Sequence, residues 1–185
     1  MDFKPLEQKI EKATKKALIE LFEKHKDEEI YAFALYSDEG AMTVCPSMNT
    51  VAFLNDLNEE ERDSLAYYKF EPAEWKYEGI GAEEDFEEIC SELRIELEKN
   101  NYDNEYENEE VFTKFQNQLF ASCISVLKKL KEEDFFLNTI GKDIFLMFSV
   151  SDYHFEKTEL KKNIATLNDN EYREEYLAWI KSWEN

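Results

Sequence analysis

The seven residues Ile30-Tyr31-Ala32-Phe33-Ala34-Leu35-Tyr36 are apolar at odd and even positions alike. A strand sends alternate side chains to opposite faces, so a run with no polar face has to be buried on both sides. Its length and its β-type composition favour a strand over a helical turn. The run Asp143-Ile144-Phe145-Leu146-Met147-Phe148-Ser149-Val150 has the same character. These two segments demand a covered sheet, and the rest of the chain supplies helices to cover it.

Phe3, Leu6, Ile10, Ala13, Ala17, Leu21 and Phe22 recur at helical spacing, which predicts an amphipathic helix from residue 3 to about 25. Ser37-Asp38-Glu39-Gly40 reads as a turn, with Ala41 to Cys45 returning as a second strand that Pro46 ends. Asn49 or Thr50 then caps a helix through Val51, Phe53, Leu54 and Leu57. Tyr67, Tyr68, Phe70 and Trp75 favour a strand and a short extended piece, because Pro72 keeps Glu71 out of helical angles. Beyond Gly79-Ile80-Gly81 a helix is expected with Phe86, Ile89, Cys90, Leu93 and Leu97 as its buried stripe. Asn100 to Asn108 is a polar loop. Two further helices carry Phe112 to Leu130 and Glu171 to Trp183. A chain of 185 residues, 43% hydrophobic, buries about 70% of its unfolded surface as one domain. With only four glycines and three prolines, a loop-built fold is disfavoured. The expected architecture is α+β: a single domain over residues 1–185, with a central, mostly antiparallel sheet of about four strands and helices packed on it.

Charge narrows the function. Between Glu83 and Glu110 lie thirteen carboxylates against Arg94 and Lys99, about half of the net charge of −21. Residues 3 to 24 are slightly basic, so the chain is electrostatically lopsided. Such a field draws cations and basic protein faces and repels phosphate backbones, which excludes nucleic acid as a partner class. Aromatic residues make up 15% of the chain; acidic disordered chains are poor in them, so the acidity coats a folded body. Cys45, Cys90 and Cys123 are odd in number and lie in apolar runs, which does not suit a disulfide framework. No apolar segment has membrane-span length and no signal peptide is recognisable, so a cytoplasmic protein without a membrane partner is expected.

No catalytic motif stands out. Gly79-Ile80-Gly81 resembles the start of a phosphate loop, but Glu84 occupies the third glycine position, and acids in the first helical turn repel phosphate. His25 and His154 share no helix face and no zinc-ligand spacing exists, so neither metal nor cofactor is expected. His154, with Asp152 to orient it, could pair with Cys45, Ser47 or Ser151 in a small hydrolase or transferase; loop Asp and His beyond a strand more often cap and hydrogen-bond locally. Tyr102 and Tyr106, set among acids, suit a binding face in which rings give contact area and carboxylates give steering.

The amphipathic first helix, Ile30 to Tyr36, the turn at Asp38-Glu39-Gly40, Val44-Cys45-Pro46-Ser47-Met48-Asn49-Thr50, the region Tyr68 to Trp75, the helix Phe112–Leu130 and the strand Asp143–Val150 follow one another as in a bacterial family, the domain of unknown function DUF4303, which the chain resembles. That resemblance implies a compact cytoplasmic domain with no catalytic residues to carry over, similar to immunity proteins that offer carboxylates to a basic nuclease toxin. The leading expectation is an acidic, non-enzymatic binding protein that occludes a basic partner. Its contacts would be Glu83, Glu84, Asp85, Glu87, Glu88, Asp103, Glu105, Glu107, Glu109 and Glu110, with Tyr102 and Tyr106 as anchors.

Overall fold

The computed structural model describes residues 1–99, 109–151 and 155–183. The doubly apolar run forms β1 (Ile30–Asp38), whose residues from Ile30 to Leu35 are all buried. On one side β1 pairs antiparallel with β2 (Val44–Thr50), to which β3 (Tyr77–Glu78) adds two residues. On its other side lies β4 (Phe145–Ser151), so the order is β3-β2-β1-β4. The β1–β4 pairing is parallel, Phe33 opposite Leu146 and Leu35 opposite Phe148. The sheet is therefore mixed, where a mostly antiparallel one was expected. A parallel neighbour needs a long connection, and the whole helical span between β2 and β4 provides it.

Both faces of the sheet are covered, which is why the apolar runs of β1 and β4 carry no polar face. On the first face Phe33, Leu35, Val44, Met48, Leu146 and Phe148 join one core with α1 (Phe3–Lys24), α5 (Glu83–Lys99), α6 (Glu109–Glu132) and α7 (Phe135–Ile140). Helix α5 buries the five residues its periodicity predicts, Phe86, Ile89, Cys90, Leu93 and Leu97. On the second face Tyr31, Ala32, Ala34, Phe145 and Met147 pack against Phe70 of α4 (Leu65–Phe70), Ile164 of α8 (Lys157–Leu167) and Tyr176 and Ile180 of α9 (Glu171–Ser182). Two short helices, α2 (Val51–Asp56) and α3 (Glu59–Arg62), lead into α4. The Thr50 hydroxyl caps α2 by accepting from the Phe53 amide at 3.2 Å.

Two local expectations are corrected. The segment from Leu65 to Tyr77 is mainly helical, with α4 followed by a 3-10 turn at Pro72–Glu74, and only Tyr77–Glu78 is strand. Within α4 only Phe70 is fully buried, a one-sided pattern that a helix satisfies despite the β preference of Tyr and Phe. Glu71 is extended, as Pro72 requires. Pro46, in turn, lies inside β2 instead of ending it. It faces Leu35, and its carbonyl accepts the Gly79 amide at 2.9 Å. That side of the ladder carries only two β3 residues, so the missing N–H is tolerated there.

The sheet edges are closed by side chains. Asn168 receives the Leu146 amide at 2.8 Å and donates to the Leu146 carbonyl at 2.7 Å, occupying the outer rim of β4. On β2 the Val44 amide points to the Cys90 sulfur at 3.4 Å, and that thiol lies 3.5 Å from the Val44 carbonyl.

Candidate functional site

Helix α5 presents its carboxylates outward, and the lysines of α1 reach across to them. Lys16 holds Asp85 at 2.5 Å, and Lys12 joins it at 3.2 Å. Lys9 bridges Glu88, at 2.7 Å, and Glu92. Arg94 turns to Glu87 at 3.1 Å, and the N-terminal ammonium reaches Glu96 at 2.5 Å. The hydrogen bonds from Lys16 and Lys12 hold the Asp85 carboxyl below its ordinary range. Glu83 accepts from the Gly81 amide at 3.2 Å, and the Ala82 amide donates to Glu20 at 2.9 Å, so carboxylates already fill the start of α5. Of the expected contact residues, Asp85, Glu87 and Glu88 thus lie in internal ion pairs, and Glu83 serves the helix start. Glu84, Glu109 and Glu110 are exposed with no ion pair among the described residues. Tyr102, Asp103, Glu105, Tyr106 and Glu107 lie outside the described residues.

Of the conceivable nucleophiles, Cys45 and Ser47 lie on β2 and Ser151 on β4. Ser47 is fully buried and donates to the Pro72 carbonyl at 2.8 Å. Ser151 contacts the Ser37 carbonyl at 3.4 Å. The Cys90 thiol beside Cys45, together with burial, pushes the Cys45 thiol up, and the same contact draws the Cys90 thiol down. His154 and Asp152 lie outside the described residues. His25 belongs to another cluster, where its Nδ1 is 2.8 Å from the Tyr77 hydroxyl. That hydroxyl donates to Glu28 at 2.6 Å, and Glu28 also receives Lys76 and Thr50, each at 2.9 Å. Burial pushes the Glu28 carboxyl up, but these three donors outweigh it and hold it at about 2. Among the described residues no group of three or more His, Cys, Asp or Glu could hold a metal ion.

A well-formed concavity lies elsewhere, on the second face, at the carboxyl end of β4. It is a cleft of about 830 Å³ between α4, the 3-10 turn, α8 and α9. Its floor is Met147, Ser149 and Ser151 of β4, and Leu160 and Lys157 of α8 form a wall. Aromatic rings dominate the remainder. Phe70 lies edge-on to Tyr176 at 5.4 Å and stacks with Trp179 at 5.8 Å, and Trp179 meets Trp183 edge-on at 4.9 Å. Glu71 and Glu74 stand among these rings. The Tyr67 hydroxyl donates to Glu74 at 3.0 Å, and burial and that carboxylate push Tyr67 up to about 12. Glu71 is half-buried; burial pushes its carboxyl above the ordinary range, opposed only by the Ala73 amide, and among the described residues no lysine or arginine pairs with it. A cavity of this size with rings and a few convergent polar groups has the form of a ligand site.

The model of the domain of unknown function DUF4303 matches residues 10–169. The chain belongs to this family. No curated protein and no solved structure matches it. The family match takes in α1 from residue 10 onward, α2 through α8 and the whole sheet, and hence the α5 face and much of the cleft; α9, which brings Tyr176 and Trp179, and Trp183 after it lie beyond the matched residues. In the sequence the cleft left only a partial signal: two aromatic segments interleaved with acids, around Tyr67–Trp75 and Tyr172–Trp183. Their juxtaposition depends on α4 and α9 packing on the same sheet face, which no local pattern encodes.

Proposed function

We propose that this DUF4303 protein is a non-enzymatic binding protein for a basic protein partner. The observation that carries this reading is the disposition of charge. At least ten of its lysines and arginines are engaged in ion pairs with its own carboxylates. An internal pair leaves the total of −21 unchanged, so the excess stands on the outside as uncompensated carboxylate. A field of that sign raises encounter rates with a cationic surface and opposes nucleic acid. The engagement of Ser47 and Ser151 with backbone carbonyls favours binding over nucleophilic catalysis by either serine. An immunity protein that covers the basic surface of a nuclease-type toxin in the cytoplasm is the form of this function that the charge suits best.

The test is capture of cellular proteins on the immobilised chain at low ionic strength, followed by association kinetics of the captured partner. An on-rate that falls about tenfold or more between 20 and 200 mM salt is expected, because exposed charges are screened over about 10 Å at 0.1 M. Glu84→Lys, Glu109→Lys and Glu110→Lys together should lower it further at low salt. An on-rate indifferent to both overturns the reading.

A further inference from the structure

The cleft and the acidic surface pose one question: why should a half-buried carboxylate stand unneutralised among aromatic rings? We propose that the cleft receives an arginine side chain of the basic partner, its guanidinium lying against the rings and paired with Glu71. This rests on the reading of the protein as a binder of basic proteins, and it gives that reading a specific anchor.

Three observations converge. The first is Glu71 itself, half-buried in the cleft lining and without a cation among the described residues. Part of its desolvation is already incurred in the free protein, so an incoming cation meets a preorganised counter-charge. The second is the ring array of Phe70, Tyr176, Trp179 and Trp183, whose faces carry the negative side of the ring quadrupole. The same array already attracts a cation at its other flank, where Lys69 Nζ sits 5.5 Å from the Phe70 centroid and 5.1 Å from that of Tyr172 while pairing with Glu175. The third is charge: among the described residues of the lining, Glu71 and Glu74 outnumber the one basic residue, Lys157. A planar guanidinium stacks on rings and meets a carboxylate through two parallel N–H donors, which an ammonium does not. The volume, about 830 Å³, is ample for the side chain with a short stretch of its backbone.

The experiment uses the full chain and two peptide amides, Gly-Arg-Gly and the same peptide with citrulline, the neutral isostere of arginine. Tryptophan emission, reporting through Trp179 and Trp183, is followed in titration beside calorimetry. The arginine peptide should bind saturably, at millimolar to high micromolar concentration, and the citrulline peptide at least tenfold more weakly. Glu71→Gln and Trp179→Leu should each reduce arginine-peptide affinity about fivefold or more. Glu71→Gln keeps the side-chain shape, and an unchanged circular dichroism spectrum and unfolding midpoint certify its fold. Equal binding of the two peptides, or unchanged affinity in Glu71→Gln, overturns the proposal. The captured partner separates this from the broader reading. If its on-rate responds to salt while Glu71→Gln and Trp179→Leu leave its dissociation rate unchanged, the arginine anchor is wrong and the basic-partner reading stands. If the arginine peptide binds as expected and no salt-sensitive partner exists, the broader reading fails, and with it the assignment of the arginine to a partner.

Discussion

Asn168 illustrates how much one buried polar side chain can decide. Its amide satisfies both backbone groups of Leu146 and also donates to the Ile164 carbonyl at 3.2 Å, with 1% of its surface exposed. Asn168→Leu would leave the Leu146 N–H and C=O desolvated without partners, at about 1–3 kcal/mol for each orphaned group. A loss of roughly 2–4 kcal/mol in urea unfolding is expected, and a loss under about 0.5 would show that water reaches the β4 edge. Glu28 gives the corresponding pH effect. Its carboxyl sits at about 2 in the folded protein, against 4.5 ordinarily. A depressed carboxyl stabilises the fold above its unfolded value, and that contribution disappears as pH falls from about 5 towards 2. Allowing for its partial exposure, on the order of 1–2 kcal/mol is at stake. Unfolding midpoints of Glu28→Gln should therefore fall less steeply than those of the parent protein over that range.

Among the elements, the junction of α1 and α5 depends on a backbone contact. Gly81 has φ +102°, and a Cβ placed there would lie 3.1 Å from the Ala17 Cα and 3.2 Å from its carbonyl oxygen. Gly81→Ala should cost about 1–3 kcal/mol through backbone strain and the forced separation of the helices. The same variant should weaken the Lys16–Asp85 pair, detectable as an upward drift of the Asp85 titration in NMR. Gly81 thus serves the close packing of the start of α5 on α1. The strongly periodic elements were legible from sequence because burial alone sets them: α1, α5, α6, β1 and the β4 region all follow from their apolar spacing. The parallel placement of β4 was not, because strand direction depends on where the preceding helices deliver the chain. Helices α7 and α8 escaped because one is short and the other is half polar, burying only Ile164 and Leu167. The α5 carboxylates were legible as a cluster, but their pairing with Lys9, Lys12 and Lys16 needed the antipodal face of α1 to be seen beside them. The cleft needed α4 and α9 in one place.

At the scale of the whole molecule, the charge of −21 acts on stability and on association with opposite signs. At 10 mM salt the screening length is about 30 Å, so carboxylates repel one another across most of the molecule. At 0.15 M it is about 8 Å, and that repulsion is largely removed. The contact ion pairs respond far less, since Lys16–Asp85 at 2.5 Å and Lys9–Glu88 at 2.7 Å lie well inside either length. Exposed pairs are in any case worth only about 0–1 kcal/mol each. Long-range repulsion should therefore dominate the salt response, and thermal unfolding should shift upward by several degrees between 10 and 200 mM sodium chloride. Over the same interval the association rate with a basic partner should fall, because the screened field is the one that steers it. The two trends have one cause and must appear together. A midpoint that is flat or falls with salt would mean that the carboxylate excess is compensated locally, and a surface so compensated has no long-range attraction to offer a cationic protein.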